Sequence, residues 1–220
     1  MALRDGMWSG SPCVIVGGGP SLRGFDWARA ERLCDAGTKC ISVNRAAEFL
    51  EPDLWLAMDS VYWRKQPARW LPDASGRVTS GAPRVWVDTG DKKPSVDLIL
   101  PCAAKGVPNP HSALAWGRSL EEGVGCGGNS GFAALNLADI LGADPIYLLG
   151  FDLKGENGVT ANWHDGYTHT KPANESLYDR YLEAFRWAAT KVRARVVVLE
   201  TYQGSSRLDC WEKRLAEEVL

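Results

Sequence analysis

The chain has 220 residues, of which 45% are hydrophobic, and a formal net charge of −2 at pH 7. This size and composition favour one domain, residues 1–220, with its own hydrophobic core. The near-neutral charge argues against general binding to nucleic acids or membranes through charge alone, and no apolar run approaches the roughly 20 residues needed to cross a bilayer.

The first predicted element is the apolar run CVIV at 13–16, which is typical of a strand buried on both faces of a parallel sheet. A turn of small residues follows, consisting of Gly17, Gly18, Gly19, Pro20 and Ser21. Glycine can adopt positive φ and lets another backbone or a phosphate come close. The turn is therefore a candidate anion-binding loop, formed by the N–H groups of Gly18, Gly19, Ser21 and Leu22 and the Ser21 hydroxyl. The alternative is a turn that binds nothing.

A dinucleotide fingerprint does not fit this turn, because Leu22 stands where G-x-G-x-x-G needs its third glycine. The second predicted strand, CISV at 40–43, leads to Arg45 where an NAD site would carry an acidic residue. Arg45 could meet the extra phosphate of NADP, and Tyr167 and Lys171 have the spacing of short-chain dehydrogenases. An NADP reductase therefore stays an alternative, although that spacing requires a helix, which the nearby threonines and proline disfavour.

Asp26 is placed to cap a helix after the glycine turn. Polar residues also follow the next two predicted strands. The strands predicted at 40–43 and 54–58 lead into Asn44 and Asp59. Because ligands of open α/β sheets bind outside the carboxyl ends of the strands, we expect both residues to join the glycine turn in one site.

The middle of the chain, residues 61–124, is less regular and is predicted to be an insert with short strands at 84–87 and 97–100. Its basic side chains are interpreted as a solvated face, with acceptor or phosphate binding as the alternative. Four tryptophans belong to this part of the chain or its border: Trp55, Trp63, Trp70 and Trp86. They could line an acceptor groove, but we interpret them as core or as a subunit interface, so a homo-oligomer is left open.

The stretch GCGGNSGFAALNLADILG predicts a glycine-rich loop and then a helix that is capped by Asn129 or Ser130 and ends at Gly142. The helix start at Ser130 and Gly131 is a second candidate site for an anion or a ribose. The strand that follows, at 145–149, leads to Asp152, so a fourth strand end carries a polar residue, which is a candidate catalytic group.

The loop at 154–172 is too polar for a core and contains His164, Tyr167 and His169. Loops of this length in compact domains are usually functional or disordered, and the aromatic and imidazole side chains favour function. Beyond it we predict a helix from residue 174, a strand at 195–199 and an amphipathic helix over 206–220. Ser206 and Asp209 are spaced like the capping box of that last helix. The six cysteines form no C-x-x-C pair, which favours reduced core thiols in a cytoplasmic protein.

Four blocks together resemble a known superfamily: 14–22, Asn44, Ser130-Gly131, and ILGADPIYLLGFDL at 140–153. The chain resembles bacterial sialyltransferases that use CMP-sialic acid, and the related domain of motility-associated glycosyltransferases and archaeal 6-hydroxymethylpterin diphosphokinases. It is also similar to uncharacterised tailed-phage proteins with a histidine-rich loop, which would place it in the host cytoplasm. The resemblance implies a Rossmann-like α/β fold with a mostly parallel sheet flanked by helices.

The resemblance also implies roles for individual residues. In the sialyltransferases, positions matching Gly18, Gly19, Ser21 and Asn44 contact the nucleotide and its phosphate, and the turn matching Ser130-Gly131 lies beside the ribose and base. By the same resemblance Tyr167 helps the phosphate to leave. Either His164 or His169 acts as general base on the acceptor hydroxyl, and His164 is favoured.

These features predict a transferase with a nucleotide-activated donor as substrate, most simply a CMP-sugar, and a hydroxyl acceptor. Displacing a nucleoside phosphate needs a base with a pKa near neutrality and donors for the departing charge. A modified base in phage DNA is left open as the acceptor, and no cofactor is firmly expected. In the alternative, Asp59 and Asp152 hold Mg²⁺ for diphosphoryl transfer. A third possibility is a nucleotide-binding module without catalysis.

Overall fold

A computed structural model describes residues 2–48, 50–58, 82–90, 96–155 and 175–220. The strands in these ranges are β1 (Cys13–Val16), β2 (Lys39–Val43), β3 (Leu54–Leu56), β4 (Arg84–Asp88), β5 (Leu98–Pro101), β6 (Ile146–Leu149), β7 (Val196–Glu200) and β8 (Glu212–Leu215). They form one sheet in the order β5-β4-β3-β2-β1-β6-β7-β8. Every pairing between neighbouring strands is parallel. The predicted α/β class with a Rossmann-like parallel sheet is confirmed.

The helices are α1 (Trp27–Asp35), α2 (Ser130–Leu141), α3 (Glu175–Ala189) and α4 (Ala216–Val219), and two 3₁₀ turns cover Pro20–Leu22 and Asn44–Glu48. Two predicted caps are confirmed. The Asp26 side chain accepts the Ala28 N–H at 3.2 Å, and Asn129 accepts the Phe132 N–H at 2.8 Å. Within the described residues, no helix has the length and apolar character that a membrane span requires.

The first strand is buried on both of its faces. Its residues alternate between two core clusters: Cys13 and Ile15 belong to the cluster that contains Phe132 of α2, and Val14 and Val16 to the cluster on the α1 side. All four β1 side chains are fully buried. Alternation between two covered faces explains why this strand is an unbroken apolar run rather than an apolar–polar alternation.

The order of the strands reverses between β1 and β6. From β1 the chain proceeds outward through β2, β3, β4 and β5, and from β6 it proceeds in the opposite direction to β7 and β8. In open parallel sheets, ligands bind outside the carboxyl ends of the strands at such a reversal. The glycine turn after β1 and the segment after β6 both lie there.

The two short strands predicted in the middle region are present as β4 and β5, at one edge of the sheet. Trp55 of β3 and Trp86 of β4 are fully buried, so the interpretation of these two tryptophans as core is confirmed. Trp63 and Trp70 lie outside the described residues. The role of the basic side chains at 61–81 likewise remains a prediction.

The amphipathic helix predicted over 206–220 is wrong. The segment contains the edge strand β8, paired with β7, and then the four-residue helix α4. Ser206 does not form a capping box, because its hydroxyl donates to the Phe151 carbonyl at 2.6 Å, and Asp209 pairs with Arg186 of α3. Pairing with β8 satisfies backbone groups of β7 that would otherwise form an open edge, which outweighs the helical periodicity of the apolar residues.

Glu200, at the end of β7, stabilises the segment that connects β7 to β8. Its carboxylate accepts the N–H groups of Gly204 and Ser206, each at 3.1 Å, and lies 3.4 Å from the Lys213 ammonium. Burial alone raises the pKa of Glu200, but the two N–H donors and Lys213 outweigh it and hold that pKa below its usual value. The charged carboxylate is therefore a stabilising group.

We expect Glu200→Gln to lower the free energy of unfolding by about 1–2 kcal/mol at neutral pH, because an amide presents one oxygen acceptor in place of two charged ones. Since the folded-state pKa lies below the unfolded one, this contribution is present above the unfolded pKa and is lost as the pH falls through the folded value. Urea denaturation at neutral pH and in acid measures it, with the exposed Glu218→Gln as control. Equal stabilities of the two variants at neutral pH would contradict the role given to Glu200.

Candidate functional site

The glycine turn packs against the backbone that follows β6. The Gly17 N–H donates to the Leu149 carbonyl and the Gly19 N–H to the Gly150 carbonyl, both at 2.8 Å. A Cβ on Gly17 would lie 2.7 Å from the Gly150 oxygen, and a Cβ on Gly19 only 2.3 Å from Asp152 Oδ1. Gly19 has a φ of −62°, which any residue adopts. Of the two predicted reasons for these glycines, close approach of another backbone applies rather than positive φ.

The ring of donors predicted for an anion is largely used within the protein. The Gly19 N–H is bonded to Gly150, the Ser21 N–H donates to Asp152 Oδ2 at 2.7 Å, and the Leu22 N–H donates to the Gly19 carbonyl at 3.2 Å. Pro20–Leu22 is a single 3₁₀ turn, and α1 begins only at Trp27, so the glycine turn does not lead directly into a long helix. The prediction that this ring of N–H groups binds an anion is corrected accordingly. Contact between the turn and a nucleotide stays a prediction.

Asp152 fixes the glycine turn. It is 2% exposed, its Oδ1 accepts the Ser21 hydroxyl at 2.7 Å, and its Oδ2 accepts the Ser21 N–H. The carboxylate thereby ties the end of β6 to the end of β1 across the reversal of strand order. This is a positioning contact, and the catalytic and metal-binding roles predicted for Asp152 stay predictions. The other predicted carboxylate, Asp59, lies outside the described residues.

Asn44 combines a strained backbone with an unsatisfied side chain. It follows β2 with a φ of +54°, in the left-handed region that few non-glycine residues adopt. Its carbonyl accepts the Trp55 indole N–H at 2.6 Å. Its side-chain Oδ1 is buried without a hydrogen-bond partner among the described residues. Each feature costs about 1–3 kcal/mol, and such costs persist mainly where function requires them.

Ser130 links the start of α2 to the end of β3. Its hydroxyl accepts the N–H of Met58 at 3.2 Å, and Met58 directly precedes Asp59 in the sequence. Gly131 lies against the ring of Phe151, since a Cβ there would be 2.6 Å from Phe151 Cε1. The structure therefore brings the predicted helix start to the same rim of the sheet as the glycine turn.

The Phe151 ring fills the space between the two glycine turns. It lies 3.2 Å from a Cβ built on Gly17 as well as against Gly131, is 6% exposed, and packs edge-to-face on Phe185 at 5.8 Å between centroids. The Phe151 ring therefore separates Gly17 from Gly131, and a ligand that touches both glycines must pass on the outer side of this ring. Phe151 was not among the predicted site residues.

Comparisons with known proteins support the fold. No protein-family model matches the chain, and no curated protein is similar to it in sequence. Its structure is similar to that of the MAf glycosyltransferase from Magnetospirillum magneticum AMB-1, with a TM-score of 0.56 and 14% sequence identity. The alignment covers 99% of this chain and 36% of that chain, so this chain spans little more than a third of that protein. The likeness shows a shared fold.

The finer resemblance to sialyltransferases, pterin diphosphokinases and phage proteins remains a prediction. So do the roles of His164, Tyr167 and His169, which lie outside the described residues. Among the predicted site residues, Gly18, Asn44, Ser130 and Asp152 are described, and all four lie at the carboxyl ends of β1, β2, β3 and β6 or beside them.

A cavity of about 480 Å³ opens on the other side of the glycine turn. Its wall includes Ser21 of the turn, Lys154 from the segment after β6, and Thr201 and Tyr202, which directly follow β7. The predicted site included four strand ends and left out this fifth one. The same rule about carboxyl ends, applied to β7, would have found it.

Proposed function

We propose that this chain is a glycosyltransferase that binds a nucleotide-activated sugar, of the CMP-sugar type, at the carboxyl rim of β1, β2 and β6. The observation that carries the proposal is Asn44, which stands at this rim with a strained backbone and an Oδ1 that has no hydrogen-bond partner among the described residues. An N–H or O–H donor on a ligand would satisfy that oxygen, and the hydroxyls of a ribose and the amino group of a cytosine are such donors.

The fold and the glycine turn add support. The reversal of strand order between β1 and β6 is where open α/β sheets bind ligands, and the turn there is held rigid by Ser21 and Asp152. A rigid turn lets its remaining donors face a ligand without further ordering on binding. The MAf glycosyltransferase shares this fold, and we extend glycosyl transfer from that protein to this chain as part of the proposal.

The proposed reaction needs two groups from the loop at 154–172. The acceptor oxygen forms a bond to the anomeric carbon, while the bond from that carbon to the phosphate oxygen breaks. His164 or His169 takes the acceptor proton, and Tyr167 donates a hydrogen bond to the departing phosphate, which keeps the electron pair of the broken bond. Because the base must be neutral to act, activity should rise with pH through the pKa of the histidine.

Titration of CMP, CDP, ATP and GTP, with and without Mg²⁺, tests the proposal through tryptophan fluorescence. We expect CMP to bind most tightly and without metal. Binding of ATP that requires Mg²⁺ and is lost in Asp59→Asn would instead indicate diphosphoryl transfer; Asp152→Asn does not decide this, because it also releases the glycine turn. If none of the nucleotides binds, the proposal fails. Once a turned-over substrate is found, His164→Ala and His169→Ala identify the base, and full activity in both variants would contradict the assignment of the base to either of them.

A further inference from the structure

We propose that the cavity beside Ser21 binds the acceptor, and that the acceptor is a sugar carrying one negatively charged group, a carboxylate or a phosphate. This inference rests on the proposed glycosyl transfer and names the class of its acceptor substrate. The cavity of about 480 Å³ is large enough for one or two sugar rings.

The position of the cavity suits a second substrate. In the strand order β2-β1-β6-β7, Asn44 follows β2 on one side of the glycine turn and Tyr202 follows β7 on the other. Ser21 belongs to the turn and also lines the cavity. A transferase must hold its donor and its acceptor next to each other. Here both proposed sites adjoin the turn that Asp152 fixes.

The wall of the cavity has the surface chemistry of a sugar site. Tyr202 is 55% exposed, among the most exposed of the large apolar side chains described. The Lys154 ammonium lies over its ring, 5.8 Å from the centroid, and the exposed part of the ring offers apolar surface on which the C–H groups of a sugar can pack beside that charge. Thr201 beside it has a buried hydroxyl without a hydrogen-bond partner among the described residues. An aromatic face next to polar groups matches a ligand that has apolar C–H faces and hydroxyls.

The charges around the cavity favour an anion. Its wall carries three cationic side chains and two acidic ones: Arg23, Arg29, Lys154, Asp26 and Glu217. Arg29 lies 3.6 Å from Asp26, so these two largely offset each other. The ammonium of Lys154 donates one hydrogen bond to the Gly204 carbonyl at 2.8 Å and has two further N–H donors. The excess of one positive charge matches a single carboxylate or phosphate.

Saturation-transfer NMR with two probes tests the inference: methyl glucuronide, and methyl glucoside, which has the same ring without the carboxylate. We expect the glucuronide to bind roughly tenfold more tightly than the glucoside, as one charge-assisted hydrogen bond provides. Glucose 6-phosphate, as a third probe, decides whether a phosphate is preferred to a carboxylate. Absence of binding by all three probes, or equal binding of glucuronide and glucoside, would overturn the inference.

Variants test whether the sugar probes bind in this cavity. Tyr202→Ala should abolish the glucuronide signal, Tyr202→Phe should keep it because the ring remains, and Lys154→Gln should bring the glucuronide down to the affinity of the glucoside. Leu114→Ala is the control, since Leu114 is 49% exposed and does not line the cavity. Undiminished glucuronide binding in Tyr202→Ala would overturn the assignment to this cavity.

The two proposals fail in different ways. CMP is titrated into the same samples, and Tyr202→Ala should bind it like the wild type, because the donor side lies across the turn. If the glucuronide binds at Tyr202 but no nucleotide binds, the cavity stands as a sugar site and glycosyl transfer from a nucleotide donor is refuted. If CMP binds and all three sugar probes fail, the acceptor inference is refuted and the donor site stands.

Discussion

Replacing Asn44 with glycine should weaken nucleotide binding by roughly tenfold or more, because it removes the hydrogen-bond acceptor that we propose the nucleotide satisfies. The same change should leave the melting temperature unchanged or raise it. Glycine adopts a φ of +54° without strain, and the change removes a buried oxygen that has no partner in the described part of the chain. Titration of CMP by tryptophan fluorescence and thermal unfolding of the same sample measure the two effects.

The chain offers a matched control in Asn109. It also has a left-handed backbone, with a φ of +51°, but it is exposed in the loop between β5 and α2. Asn109→Gly should therefore match Asn44→Gly in its effect on backbone strain and leave CMP affinity unchanged. Unchanged CMP affinity in Asn44→Gly, or an equal loss in both variants, would remove the observation on which the proposed function rests.

Elements that are buried on both faces could be predicted from the sequence alone. The apolar runs that became β1, β2 and β6 end in polar or glycine residues, so both their type and their carboxyl ends were readable. Helix α2 was equally clear, because Asn129 caps its start and Gly142 ends it with a φ of +83°. In these elements, burial and local conformational preference agree.

The segment after β7 shows where such prediction fails. The apolar residues at 208, 211 and 215 have helical spacing, but Leu208 and Trp211 pack into the core from irregular chain, and Leu215 ends a strand. What decides the structure is the backbone edge of β7 and the carboxylate of Glu200, which accepts two N–H groups of the turn between them. These tertiary contacts leave no periodic signal in the sequence.

The glycine turn was found from the sequence, although partly for the wrong reason. In a single sequence, a glycine required by the close approach of a phosphate cannot be distinguished from one required by the close approach of a distant backbone segment. Here the partner is Asp152, 131 positions from Ser21. The same contact gives Asp152 a positioning role that the sequence did not indicate, and its predicted catalytic and metal-binding roles stay predictions. Its actual environment became visible only with the pairing of β1 and β6.

Gly19→Ala should destabilise the protein strongly, by about 2–4 kcal/mol in the free energy of unfolding. The new Cβ would lie 2.3 Å from Asp152 Oδ1 and 2.7 Å from the Gly150 oxygen, so the turn and the segment after β6 must move apart. Since alanine accepts the φ of −62° at this position, the cost is steric. Urea denaturation measures it, and CMP affinity should fall as well, because the Ser21–Asp152 contact that fixes the turn is broken.

Gly106→Ala separates this steric cost from the general cost of changing a glycine. Gly106 has a φ of +87° and open space around its Cβ position, so alanine there meets only backbone strain, about 1–2 kcal/mol. Gly19→Ala should exceed it, although its own backbone is unstrained. If Gly19→Ala were instead as stable as the wild type and had lost only CMP binding, the backbone after β6 would have room to yield. The lack of a side chain at Gly19 would then serve the close approach of the phosphate.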